Sequence, residues 1–342
     1  MNAGLQLYVA TIVVYFAVYS IATLGLSIQY SYAGVVNLGF IVFQAAGAYT
    51  AAVLTLGPDT SIPGFQTYVL GYNLPFPIPL LAAAAVGAIL SAAIGVVTLK
   101  KLRRDYQAIV FLVLSVVATD LVTNLKGLFN GQAGLALIPS PLQTELGLSY
   151  LDYHWAYAIY ALVLTVGVYV LCKVLSNSPL GVAWRASRDN ESSAAAVGKN
   201  VPRIRLSAMA VGGALAGLSG AVLVQFITVW QPNSWLFPET FVLFTALIVG
   251  GVGNSKGLIL GVIAVPILLL QAPGYLPEFG HAGLVDSLEW VIVGFVTMMF
   301  LWFRPRGILP EQPRRLDDYR SGGIRSALSR LRGQRRLGKR AT

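Results

Sequence analysis

The sequence predicts an all-α, polytopic transmembrane helical bundle. Three observations lead there. Of its 342 residues 56% are apolar and only 11% are charged. The mean hydropathy is +0.69. Apolar runs repeatedly approach the roughly 20 residues that an α-helix needs to cross about 30 Å of hydrocarbon. A soluble domain carries about 25% charged residues, so this chain has too little polar surface to cover a globule in water. With lipid as solvent, every backbone N–H and C=O must be paired internally, which leaves helices or a closed barrel. A barrel would alternate in polarity over segments of about 10 residues, and these runs are longer and uniformly apolar.

The pattern gives about nine spans, within a range of eight to ten. The first covers 5–26 and has no Lys or Arg before it, so it does not read as a cleaved signal peptide. The second, 33–56, mixes Gly34, Gly39 and Gly47 with Asn37, Gln44 and Tyr49. The third, 79–99, ends against Lys100, Lys101, Arg103 and Arg104, and the fourth, 106–125, encloses Asp120. The fifth is 155–175 and the sixth 206–228. Two shorter stretches, 240–252 and 258–271, precede the last at 287–303. The stretch 240–252 is short for a crossing and reads as tilted or re-entrant.

Charge placement orients these spans. Cytoplasmic loops collect Lys and Arg. With the N-terminus outside and the C-terminus inside, the inner segments are 27–32, 100–105, 176–205, 253–257 and 304–342. All Lys and Arg except Lys126 then lie in those segments or, like Lys173, at their edge. The outer loops hold Asp59, Glu145, Asp152, Glu239, Glu278 and Asp286. The net charge of +10 therefore points to membrane topology rather than to nucleic acid. Residues 1–303 form the membrane domain, and 304–342 a basic, poorly ordered tail suited to anionic lipid. Trp155, Trp230, Trp235, Trp290 and Trp302 fall near span ends, where an aromatic belt is expected.

Chemistry is sparse. One cysteine, Cys172, excludes an internal disulfide, and two histidines, His154 and His281, give no metal-ligating set. No cofactor is expected. The stretch Gly250–Gly257 has glycines and a lysine, but the order Ser255–Lys256–Gly257 breaks the phosphate-loop pattern. The chain itself should not hydrolyse ATP.

Polar residues within the spans are the candidates for a substrate path. Unpaired amides and acids are costly in lipid, so Asn37, Gln44, Tyr49, Asp120 and Asn124 should face protein or a water-filled route. Hydrogen-bond glue between helices is the competing reading for Asn37 and Gln44, and a buried helix anchor or a proton-coupling acid for Asp120. Gly213 and Gly217 make a G-x-x-x-G pair, repeated in spacing by Gly253, Gly257 and Gly261, and helix packing accounts for both. The 176–205 loop is long, amphipathic and charged. Asp189, Asn190, Ser192 and Ser193 favour a helix start, Glu191 suits its first turn, and a short helix through Ala194 to Val197 then ends at Gly198. It is either a docking piece for a cytoplasmic partner or a solvated connector.

Several of these residues resemble a known family. Tyr32–Ala33–Gly34, Leu38–Gly39 and Gly47–Ala48–Tyr49–Thr50 resemble the early Gly-rich span of the LivM-type permeases of branched-chain amino acid ABC transporters. Gly131, Gly134, Leu135, Ile138 and Pro139 resemble that family's outer loop. The densest match is Ser178–Pro179–Leu180–Gly181, Arg185–Ala186, Arg188–Asp189–Asn190–Glu191, Ala194, Ala196, Gly198 and Asn200–Val201. Gly250–Gly251–Val252–Gly253 and Arg304–Pro305–Arg306–Gly307 resemble its late signatures. The likeness runs from about Tyr32 to Leu309. Phe40 stands where the family often has His, Asn37 is closer to the sister permease, Ser193 and Ala195 replace an Ala and an acid, and the tail is longer.

The resemblance implies an ABC importer permease in the cell inner membrane that moves amino acids, branched-chain ones first. Its implied partners are two ATP-binding subunits, a homologous second permease and an external substrate-binding protein. It also implies that Gly181, Arg185, Arg188, Asp189, Asn190, Glu191, Ala194 and Gly198 belong to the segment that meets the ATPase. The alternatives are a related importer of urea or short amides, an ion-coupled carrier working through Asp120, and a membrane scaffold whose tail binds lipid or nucleic acid.

Overall fold

Apolar runs with few helix breakers and no water to solvate their backbones become helices. In a computed structural model, residues 3–57, 70–141, 143, 147–271 and 284–311 are described. Asp59, Glu145, Glu278, His281 and the tail at 312–342 lie outside the described residues. Two units divide the chain, Met1–Pro310 and Glu311–Thr342, and the helices among the described residues belong to the first.

In chain order they are α1 (Ala3–Ser27), α2 (Phe40–Thr55), α3 (Ile78–Lys101), α4 (Arg104–Asn124), α5 (Lys126–Phe129), α6 (Tyr150–Asn177), α7 (Pro179–Asp189), α8 (Glu191–Ala196), α9 (Val201–Ile227), α10 (Pro238–Gly250), α11 (Ser255–Val262) and α12 (Leu284–Phe303). A wider π-turn, Ile28–Tyr32, prolongs α1, and another, Ile263–Gln271, prolongs α11 across Pro266. Among the described residues there are no strands, only one isolated antiparallel bridge between Leu135 and Trp230. Among the same residues six segments are long and apolar enough to cross a membrane: Ala3–Tyr32, Ile78–Leu99, Tyr106–Asn124, Tyr150–Asn177, Val201–Ile227 and Pro232–Gly250. Phe40–Thr55, Ser255–Leu269 and Trp290–Phe303 are shorter apolar helices.

The expected second span, 33–56, differs from what is seen. Its helix begins only at Phe40, and 33–39 is non-helical. Gly34 has φ +70°, in the left-handed region, and Asn37 holds the bend from within. Its amide donates to Gln29 Oε1 at 2.8 Å, its carbonyl oxygen accepts from Gly39 N at 3.2 Å, and Gln29 Nε2 donates to Met209 O at 3.1 Å. Apolar composition fills both a helix and a buried bend, so hydropathy does not separate them.

The core lies where α9 crosses α2 and α3, with α1 packed on α6 and α9. A Cβ on Gly217 would stand 2.2 Å from Ala83 O, and one on Gly47 would stand 2.3 Å from Gly217 Cα. These backbones touch only because no side chain intervenes, as expected for the Gly213/Gly217 pair. By contrast α3, α4, α6 and α12 expose rows of Val, Ile, Leu and Phe on their outer sides, the surface a lipid-solvated bundle presents.

Candidate functional site

Two regions stand at opposite ends of α9. At its N-terminal end the 176–205 loop folds into α7 and α8. Ser178 caps α7 by accepting from Gly181 N at 3.4 Å, and Pro179 occupies the first turn, where no N–H is required. Trp184, fully buried, bolts α7 to α9: its indole N–H donates to Ile204 O at 3.1 Å and Ser207 Oγ at 2.9 Å. Arg185 donates to Ser176 O at 2.8 Å and lies 5.5 Å from the centre of the Tyr32 ring. Arg188 donates to Ser31 O in the π-turn of α1 and pairs with Asp189 at 2.8 Å. Arg205, buried, donates to Ser187 O at 3.1 Å and pairs with Glu191 at 2.9 Å.

These contacts divide the loop by direction. Gly181, Arg185 and Arg188 face the bundle, and Gly181 sits so close that a Cβ would meet Leu175 O and Ser176 O at 2.5 Å. Asp189, Asn190 and Glu191 are exposed, and α8 stands out with Ala194 buried beneath it. Asn190 caps α8 by accepting from Ser193 N at 3.0 Å, and Gly198 ends the segment at φ +78° with open space around it. The short helix and its cap and stop match the sequence reading, while α7 itself is an addition to it. Beyond α8, Val197 is a large apolar side chain left 73% exposed.

At the other end of α9 lies a cavity of about 260 Å³. From Arg205 to Ile227 the helix rises on the order of 33 Å at about 1.5 Å per residue, so the two regions are a bilayer's hydrocarbon thickness apart. Tyr15, Tyr19, Gln44, Trp230, Ser234 and Glu239 supply its polar wall. Val18, Ile41, Leu223, Ile227 and Leu243 supply its apolar wall. Helices α1, α2, α9 and α10 and the 228–237 connection converge to build it. α10 is pinned to α2 where Ile41 N donates to Thr240 Oγ1 at 3.3 Å. Trp230 is held by reciprocal 2.8 Å backbone bonds with Leu135, which bring the Gly131–Pro139 loop against this wall. Trp230 is fully buried and its indole N–H has no hydrogen-bond partner.

Of the path candidates, Gln44 lines this cavity. Tyr49 lies in an aromatic cluster, its ring 4.7 Å from Phe129, 6.4 Å from Trp230 and 6.1 Å from Trp235, and its hydroxyl accepts from Trp235 Nε1 at 3.4 Å. Asn37 serves the bend between α1 and α2. Asp120 and Asn124 lie on the exposed side of α4, where the Asn124 amide donates to Asp120 O at 2.7 Å. Trp230 and Trp235, expected at a belt, are instead buried. Tyr15, Tyr19, Trp230, Ser234 and Glu239 are wall residues that the sequence pattern does not single out for a path. Among the described residues no group of three or more His, Cys, Asp or Glu is placed to hold a metal.

Comparison with known proteins agrees with this architecture. The chain is 26% identical to the probable branched-chain amino acid transport permease protein LivM of Methanocaldococcus jannaschii, over 89% of this chain and 94% of that one. It is 28% identical to the high-affinity branched-chain amino acid transport system permease protein LivM of Escherichia coli K12, over 86% of this chain and 68% of that one. It is 24% identical to the corresponding LivH of the same organism, over 85% and 91%. No solved structure matches. The profile of the branched-chain amino acid transport system / permease component family aligns with residues 8–301, and the chain therefore belongs to that family.

Proposed function

We infer that this chain is the membrane-spanning permease subunit of an ABC importer that moves branched-chain amino acids. A homologous permease would complete the pathway, two ATP-binding subunits would dock on α7 and α8, and an external protein would deliver substrate. The observation that carries this reading is the braced α7–α8 shelf. It is stiffly tied to α1 and α9 on one side and exposes Asp189, Asn190, Glu191 and Val197 on the other. A force applied to that surface reaches both core helices directly, as alternating access requires.

The polypeptide would cross the inner membrane about nine times, with the three shorter apolar helices completing the six long ones and the loop end of α9 in the cytoplasm. Support comes from the basic residues, nearly all of which fall on that side. ATP binding and hydrolysis then belong to partner subunits. An ion-coupled carrier working through Asp120 gains no support, because that side chain lies on the exposed face of α4 rather than on the cavity wall. The test is uptake of radiolabelled leucine, isoleucine and valine into proteoliposomes holding the assembled complex. Uptake should require enclosed ATP and stop in its absence. Uptake driven by an ion gradient without ATP would refute the importer reading.

A further inference from the structure

The polar groups around the cavity at the far end of α9 share one electrical sense. Glu239 brings a carboxylate, Gln44 an amide, and Tyr15, Tyr19 and Ser234 bring hydroxyls; among the described wall residues there is no Lys, Arg or His. Each of those groups can accept a hydrogen bond. Glu239 lies in the first turn of α10, where the helix dipole favours a negative charge. At reduced dielectric such a charge attracts a cation over several ångströms. Tyr15 and Tyr19 stand one turn apart on α1, with ring centres 6.4 Å apart and planes at 28°. A cation seated over the face of either ring, within about 6 Å of its centre, gains a further attraction.

Gln44 is a second and independent sign of a ligand. It is only 5% exposed, it lines the cavity, and among the described residues its side-chain amide has no hydrogen-bond partner. A buried amide is costly to leave unpaired. An anion would meet the repulsion of Glu239, and a neutral solute would leave that charge uncompensated. The opposite wall, with Ile41, Leu223, Ile227 and Leu243, is aliphatic. It suits a methylene stem of the kind that Lys and Arg lay along apolar surface while the charged head reaches a polar group. The volume of about 260 Å³ lies just below the range of drug-sized pockets, which fits a group of few heavy atoms.

We propose that this cavity is a binding site for an organic cation on a short aliphatic stem, an alkylguanidinium or alkylammonium group. Glu239 accepts hydrogen bonds from the cationic head, the Gln44 carbonyl oxygen accepts another, and the aliphatic wall covers the stem. A guanidinium is the better fit, because its planar fork donates in two directions at once and sheds water more readily than an ammonium. The group arrives as a free solute or as a basic side chain of another protein. The site goes beyond the importer reading, since its ligand needs no carboxylate and its occupancy needs no transport.

The experiment uses the complete transporter in phosphatidylcholine nanodiscs and saturation-transfer NMR titrations with N-acetylargininamide. N-acetylcitrullinamide, its uncharged isostere, should bind about ten- to a hundredfold more weakly, the weight of one charge-assisted hydrogen bond. Butylguanidinium should bind more tightly than methylguanidinium, because only the former reaches the aliphatic wall. Glu239→Gln should bring N-acetylargininamide down to the level of the citrulline compound. Gln44→Leu should weaken it by a few-fold to about tenfold. Asp152→Asn, a charge removed from the cap of α6, should leave the preference intact. Adding the external binding protein separates the two sources. A basic side chain on that protein would displace N-acetylargininamide, and Glu239→Gln would then weaken the protein's docking. With a free solute as occupant, N-acetylargininamide stays bound and docking is unchanged.

Equal binding of the arginine and citrulline compounds, a preference that survives Glu239→Gln, or no binding of any guanidinium would overturn the site. Leucine uptake enters none of these measurements, so failure of the importer reading would be seen separately. If Glu239→Gln fails to assemble, Gln44→Leu and the isostere and stem-length comparisons on the wild type still decide.

Discussion

The two ends of α9 are built on opposite principles. At the loop end, the polar side chains that face the bundle are engaged by the protein itself. Trp184 makes two hydrogen bonds, Arg185, Arg188 and Arg205 each hold a backbone carbonyl, and Asn190 caps a helix. At the other end the structure leaves a cavity whose wall sets a carboxylate, an amide and hydroxyls beside aliphatic carbon. An end cross-linked in this way moves as one body, because bending it breaks several bonds at once. An end that keeps a polar-lined space can admit a small ligand. The division suits a machine driven from one side and loaded from the other.

The comparison breaks most visibly if the shelf is not rigid. Trp184→Ala should give the largest loss, about 3–5 kcal/mol for a fully buried Trp, read as a lower unfolding temperature of the detergent-solubilised protein and as proteolytic opening of the 176–205 loop. Trp184→Phe isolates the two hydrogen bonds and should cost about 1–2 kcal/mol. Unaltered stability in both variants would mean that α7 is a loosely held connector.

Gly181 and Gly198 sharpen the same point at smaller scale. Gly181→Ala drives a methyl into Leu175 O and Ser176 O at 2.5 Å, an overpacking cost of about 1–3 kcal/mol. Gly198→Ala meets no atom within 4 Å but must hold φ +78°, at about 1 kcal/mol. Thermal unfolding of the two variants should rank them in that order. A larger loss at Gly198 would show that the segment beyond α8 packs more tightly than this arrangement allows.

The loop end is the more legible of the two in the sequence, and for a physical reason. Its signals are local: Asn190 caps the amide three residues on, Gly198 stops a helix at its own φ, and both can be read in a window of ten residues. Locality is not the whole of it, since Ser178–Pro179 opens α7 in a pattern as local as the Asn190 cap, yet the charge of the loop draws the reading to α8 alone. The cavity draws on residues from Tyr15 to Leu243, and no local window joins them. Glu239 reads as an outer-loop charge, because a lone acid before an apolar run looks the same whether it faces water or a cavity. Trp230 and Trp235 read as belt residues for the same reason. Asn37 and Gln44 sit seven residues apart in one apolar run, yet one braces a bend and the other lines the cavity. Only the helix start at Phe40, invisible to hydropathy, separates their roles.

The finest test separates bracing from docking within the shelf itself. Val197 is 73% exposed and lies just past α8, so Val197→Ser removes apolar area that the isolated subunit does not bury. Stability should stay within about 0.5 kcal/mol of the parent, as for surface substitutions in general. If this side chain enters a groove on an ATPase, substrate-stimulated ATP hydrolysis by the assembled complex should fall, and Glu191→Gln should lower it as well. Trp184→Phe shifts both quantities, because it weakens the support beneath the surface. A Val197→Ser variant that unfolds at the parent temperature and hydrolyses ATP at the parent rate would place the docking surface elsewhere, leaving the rigid shelf as a structural strut between α6 and α9.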